Sequence, residues 1–124
     1  MRAETARAMR LRLVLRSGAA LGPGKIDLLE AIAETGSIRA AGNRFRMSYR
    51  RAWELVAELN GMFEKPLVVA ESGGRGGGGA VLTAQGRNVV KRFRAIEARA
   101  WSAIDADYRS LARALKKGEP PART

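Results

Sequence analysis

Between residues 38 and 53 the chain carries Arg39, Arg44, Arg46, Arg50 and Arg51 and no acidic residue. A solvated helix face ordinarily mixes signs. A run of guanidinium groups without a carboxylate therefore points to an anion supplied from outside. Arginine presents a planar fork of donors that fits a phosphate, or the O6 and N7 edge of guanine. Tyr49 and Trp53 stand among these cations. Their rings could serve as stacking platforms for unpaired bases. For Trp53 packing at the margin of a helix pair is the favoured reading, because aromatics on helical flanks usually fill core edges. For Tyr49 both readings stay open.

The rest of the composition agrees. The 124 residues include 23 Lys and Arg against 12 Asp and Glu, a formal charge of +11. Such an excess suits nucleic acid first and an acidic membrane surface second. There is no Cys and no His. Disulfides, thiolate or imidazole metal ligands, cysteine nucleophiles and Ser-His-Asp chemistry are thereby removed. The carboxylates are scattered, and Asp105 and Asp107, two apart on a helical pattern, face different ways. No catalytic motif emerges, so the chain is expected to be no enzyme and to need no cofactor and no metal. Gly74, Gly76 and Gly79 form a formal G-x-G-x-x-G, but a dinucleotide site needs that loop between a strand and a helix of a βαβ unit. Here it runs into a second β-prone segment.

Several elements must position the arginines. Leu11, Leu13 and Leu15 alternate with Arg12, Val14 and Arg16, which suits a short strand better than an Arg-rich targeting sequence. Residues 17–24 read as a turn. Ile26, Leu29, Ile32 and Ala33 recur at helical spacing over 24–35, opposite Asp27, Glu30 and Glu34, and Gly36 stops that helix. Ser37 is a candidate N-cap for a short helix from Ile38 to about Phe45, and Ser48 for a third through about Phe63. Short connections between these helices define a helix-turn-helix. On the third helix Ala52, Leu55, Val56, Leu59 and Phe63 share a face. Arg50, Glu54 and Ala57 lie opposite, with Arg51 and Trp53 on the flanks. Arg50 therefore points outward from the first turn, where a recognition helix meets base edges. The alternative is a solvated turn with an i,i+4 Arg50–Glu54 pair.

Residues 67–71 and 80–82 are β-prone around a glycine-rich tip and predict a hairpin, with Arg75 as the charge at its end. Thr83 is a third candidate N-cap. From there Val89, Phe93, Ile96, Ala100, Ile104, Tyr108, Leu111 and Leu115 recur in steps of about 3.7 residues, close to an 11-residue repeat. A helix of about 30 residues spans roughly 45 Å, too long for one small domain to cover. Its stripe is expected to meet the same helix of a second subunit, through Val89, Phe93, Ile96, Ala100, Ile104, Tyr108 and Leu111. The alternative is a kinked helix folding back on its own domain. The expected organisation is thus mainly α with a small β-hairpin: a winged helix-turn-helix over 11–83, a long helix over 84–117, and a disordered tail over 118–124. With no apolar run long enough to span a membrane, the expectation is a soluble cytoplasmic protein.

The stretch Met47-Ser48-Tyr49-Arg50-Arg51-Ala52-Trp53, the segment from Ser72 through the glycines to Thr83, and the shorter matches Lys25-Ile26-Asp27-Leu28-Leu29 and Gly36-Ser37-Ile38 resemble the N-terminal domain of the molybdate-responsive transcriptional regulators, the ModE family. That domain is itself related to the LysR-type DNA-binding domain. The resemblance covers roughly residues 11–115. It implies a bacterial, dimeric, sequence-specific regulator of transcription bound to double-stranded DNA. Ser48, Tyr49, Arg50 and Arg51 would begin its recognition helix and Arg75 would sit in its wing. Arg39, Arg44, Arg46 and Arg75 would position phosphates. Two departures stand out. Full-length family members carry C-terminal molybdate-binding domains, and this chain ends where they would begin, so direct molybdate sensing is not expected. The turn before Met47 often holds Gly, where this chain has Arg46. The alternative function is a non-specific basic architectural protein, or a DNA-binding subunit whose signal comes from a separate sensor partner or an oxyanion effector.

Overall fold

The computed structural model describes residues 9–71 and 79–118. Two two-residue strands, β1 (Leu13–Val14) and β2 (Ala20–Leu21), pair antiparallel and bracket a 3-10 turn over Arg16–Gly18. Three helices follow: α1 (Pro23–Thr35), α2 (Ile38–Arg44) and α3 (Tyr49–Met62). An antiparallel hairpin, β3 (Val68–Glu71) and β4 (Gly79–Leu82), leads into the 30-residue helix α4 (Ala84–Arg113). The architecture is a winged helix-turn-helix with a long C-terminal helix.

The local signals in the sequence account for the boundaries. Pro23 opens α1, and Gly36 closes it in the left-handed conformation at φ 70°, its N–H donating to Ile32 O at 2.8 Å. All three capping hydroxyls act as such. Ser37 Oγ accepts from Ala40 N, Ser48 Oγ from Arg51 N and Thr83 Oγ1 from Gly86 N, each at 3.0 Å. Residues 17–24 hold more than a turn, because they include β2, whose Leu21 is buried. The Leu and Arg alternation of 11–16 survives as half-buried and exposed positions, although only Leu13 and Val14 pair as strand.

One core joins every element. Ile26, Leu28, Leu29 and Ile32 of α1 pack with Leu55, Val56 and Leu59 of α3, Leu67 and Val68 at the start of the wing, and Val89 and Phe93 of α4. α2 contributes Ala41 and the buried Gly42. A Cβ added at Gly42 would lie 2.9 Å from the Ala52 Cβ, so a glycine is needed for α2 to cross α3 this closely. The hairpin is anchored at both ends. Ala80 N donates to Gly36 O at 2.9 Å, and Thr83 N to Leu67 O at 2.9 Å.

The long helix divides in two. Gly86, Val89, Phe93, Glu97 and Trp101 form its buried stripe. Val89 and Phe93, expected at a subunit contact, instead lie in the chain's own core; Phe93 is 1% exposed. The reason is the wing, which turns the start of α4 back over α1. Trp101, absent from the stripe drawn on the sequence, is 2% exposed, with the Tyr108 ring edge-on at 5.1 Å. Beyond it Ile104, Tyr108 and Leu111 are exposed, as is Ile96 on a neighbouring face, while Ala100 is half-buried. Helix α4 ends at Arg113, and Leu115 lies past it. Of the tail over 118–124, residues 119–124 lie outside the described residues.

An ion cluster fixes the angle between α1 and α4. Arg94 Nη2 meets Asp27 Oδ1 at 2.6 Å and Glu30 Oε1 at 2.7 Å, Nε donates to Glu30 Oε2 at 3.2 Å, and Nη1 reaches Glu97 Oε1 at 2.8 Å. Hydrogen bonding to Glu30 above all, then to Glu97 and Asp27, outweighs burial and raises the Arg94 pKa above the ordinary arginine value. The guanidinium stays charged at any working pH.

Candidate nucleic-acid interface

Helices α2 and α3 present the arginine-rich stretch at one end of the domain. The Ser48 cap starts α3 so that Tyr49, Arg50 and Arg51 form its first turn. Ala52, Leu55, Val56 and Leu59 face the core, and Arg50, 88% exposed, points away from it. The outward position read from the sequence is the observed one.

Charge pairing is present here, but it is made by exposed acids from outside the stretch. Acids just outside the acid-free run reach back to it. Glu54 lies 3.4 Å from Arg50 and 3.8 Å from Arg51, and Glu34 of α1 pairs with Arg44. These pairs are solvent-exposed and worth little, so an incoming phosphate can displace them. Arg39 takes another partner: its guanidinium carbon stands 4.3 Å from the centroid of the Tyr49 ring. Tyr49 thus braces a cation while remaining exposed.

Arg46 occupies the turn between α2 and α3 at φ 58°, and is the non-glycine residue with positive φ among the described residues. The left-handed region disfavours a Cβ by roughly 1–2 kcal/mol. The turn keeps the shape a glycine would give it while adding an exposed cation. Its closure is secured by Met47 N donating to Gly42 O at 3.1 Å.

Trp53 does not pack at the core margin. It is 52% exposed and lines a cleft of about 890 Å³ between α3, the start of α2 and the wing, together with Arg39, Tyr49, Asn60 and Val69. The wing tip, residues 72–78 with Arg75, lies outside the described residues. Gly79 pairs with Glu71 in the antiparallel hairpin, so the G-x-G-x-x-G run has no βαβ context.

Asn60 is a residue the sequence reading passed over. Its Oδ1 accepts from Leu67 N at 2.8 Å and Val68 N at 3.1 Å, and its Nδ2 donates to Val68 O at 3.0 Å. One side chain thereby fixes the wing against α3. A polar residue next to the apolar face of α3 was the available signal.

This geometry has relatives. Residues 24–87 match the family described as bacterial regulatory helix-turn-helix protein, lysR family. The chain belongs to this family. It is also 41% identical over 96 residues to the molybdenum-pterin-binding protein MopB of Rhodobacter capsulatus, covering 77% of this chain and 36% of that protein. Identity to the molybdenum transport protein ModE of Azotobacter vinelandii is 43% over 96 residues, with the same coverage of 77% and 36%. The DNA-binding transcriptional dual regulator ModE of Escherichia coli (strain K12) is 39% identical over 83 residues, 67% of this chain and 32% of that one. The matched stretch therefore spans about a third of the length of these curated relatives. Among solved structures, the crystal structure of a CbnR_DBD–DNA complex superposes with a TM-score of 0.53 at 27% identity, covering 74% of this chain and 97% of that one. Among the described residues no helix is long and apolar enough to cross a membrane.

Proposed function

We propose that this chain is the dimeric, sequence-specific DNA-binding unit of a transcription regulator. The observation that carries the reading is the first turn of α3. In a lysR-family helix-turn-helix it presents an outward Arg50 beside Tyr49 and Arg51, with only exposed pairs to restrain them. The DNA complex of the structural neighbour supports it. Arg50 reads a base edge, guanine being the natural partner of its fork. Arg39, Arg44, Arg46 and Arg75 contact phosphates, and Ser48 and Arg51 hold the helix start against the backbone.

The dimer is built on the part of α4 that its own domain leaves uncovered. Ile96, Ala100, Ile104, Tyr108 and Leu111 remain for this contact once Val89 and Phe93 are assigned to the core. Two α3 helices then meet successive major grooves about 34 Å apart, or a multiple of that.

Selection of bound sequences from a random duplex pool tests the reading. The expected product is a pair of inverted half-sites at one preferred separation. Recovery of unenriched sequence, with equal binding to random duplex across salt, would leave only a non-specific basic protein. Leu111→Asp is expected to shift sedimentation to the monomer and to abolish the preferred separation while sparing half-site binding.

A further inference from the structure

A second cleft lies on the opposite flank of α3 from the wing. It holds about 610 Å³ and is bordered by Arg10, Arg12, Lys25, Arg51 and Glu58. On a helical wheel Arg51, Leu55 and Glu58, which line this cleft, fall about 180° from Tyr49, Trp53, Val56 and Asn60, which line the wing cleft. Arg50 and Glu54 occupy the exposed edge between the two.

The charges in this second cleft are unbalanced. Its one acid, Glu58, is engaged by Lys25, whose Nζ lies 3.2 Å from Glu58 Oε1 and 2.8 Å from Ala20 O. Among the described residues, Arg10 and Arg12 are exposed and no carboxylate pairs with them. Arg51 has only its 3.8 Å approach to Glu54. Arg12 lies beside Gly22, also in the cleft lining: a Cβ built on Gly22 would lie 3.9 Å from Arg12 Cγ. Apolar Leu11, Leu13 and Leu15 alternate inward, which holds the intervening arginines outward.

A helix seated in a major groove has a sugar-phosphate backbone on each side. The wing serves one side. We infer that the N-terminal hairpin serves the other, with Arg10, Arg12 and Arg51 forming a second phosphate-binding patch that lengthens the DNA contact beyond the helix-turn-helix. Arg10 and Arg12 precede residue 24, where the family match begins, while Arg51 lies inside it. This inference rests on the DNA-binding reading above.

The test compares the chain with its Arg10→Gln/Arg12→Gln variant on the selected duplex across a salt series. Gln removes the charge while staying polar, and an unchanged thermal melt establishes that the variant folds. Losing two phosphate contacts is expected to reduce the slope of log K against log salt by about 1.8, with the ratio of selected to random binding unchanged. The Arg10→Lys/Arg12→Lys variant is expected to keep the slope, since a phosphate contact needs only the charge. Phosphate ethylation at the backbone on the N-terminal-hairpin side of α3 is expected to weaken the unaltered chain more than the Gln variant, which keeps only Arg51 there. If the unaltered chain binds its site selectively and the Gln variant keeps the full slope, the patch is refuted and the function stands. A drop in the selected-to-random ratio would instead place these arginines on bases and overturn the phosphate assignment. If the unaltered chain binds no duplex, both readings fall together.

Discussion

Arg94 and Arg50 are the same residue type in opposite settings. Arg94 is 21% exposed and touches three carboxylates, from Asp27, Glu30 and Glu97. Arg50 is 88% exposed and touches one, Glu54, at the long distance of 3.4 Å. Both are helical arginines with acids nearby in sequence, yet one is a strut between helices and the other is available to an outside anion. What separates them is where the carboxylates converge. The Arg94 cluster holds three of the chain's 12 acids, which leaves the remaining surface more positive than the overall charge suggests. Neutralisation is concentrated at the joint that sets the frame, and the reading surface stays cationic.

Three substitutions break or sharpen this contrast. Arg94→Met has the largest expected effect. It strands Glu97, whose side chain is 9% exposed, and leaves Asp27 and Glu30 facing it as like charges. Removing one partner of a fully buried pair costs about 3–5 kcal/mol, and partial exposure brings the expectation here to about 2–3 kcal/mol. The midpoint of urea unfolding reads it. A midpoint that does not move would make the cluster energetically idle and erase the contrast. Arg50→Ala is the reverse case. Stability is expected to change by less than about 0.5 kcal/mol, while binding to the selected site weakens by about 1–3 kcal/mol and loses discrimination at one base position. Equal loss on random duplex would turn Arg50 into a phosphate contact. Arg46→Gly is the smallest and sets the two quantities against each other. Relief of the positive-φ strain is expected to raise stability by about 0.5–1 kcal/mol, and loss of the cation to lower the salt slope of DNA binding by about one. A gain in stability with no change in slope would show strain carried without a role in binding.

How much of this was legible in the sequence follows from the range of each interaction. Ser37, Ser48 and Thr83 could be read as caps because the bonds they make lie three residues away. The outward position of Arg50 follows from the 100° periodicity of α3 alone. The left-handed turn at Arg46 announced itself as a departure from a glycine. The rest depended on which faces meet. Val89 and Phe93 fit a single stripe with Ile104 and Leu111, and only the docking of α4 on α1 splits that stripe into a core half and an exposed half. Trp53 lines the open cleft between α3 and the wing, which periodicity along α3 alone does not reveal. Asp27 and Glu30 are legible only as lying opposite the apolar positions of α1, because their partner Arg94 is 67 and 64 residues away. Strand β2 went unread because two residues inside a glycine-rich run carry no periodicity.

The clamp at Arg94 has a mechanical meaning once the length of α4 is considered. The helix leaves the cover of its domain at Trp101 and continues to Arg113, a projecting arm of roughly 12 residues, about 18 Å. In the dimer proposed above, a swing of about 10° at the clamp, roughly 19 residues or about 28 Å from the end of the helix, would displace that end by about 5 Å, more than the 3.4 Å rise of one base pair. In that dimer, the stiffness of one arginine and three carboxylates would help set how far the spacing between the two domains can vary.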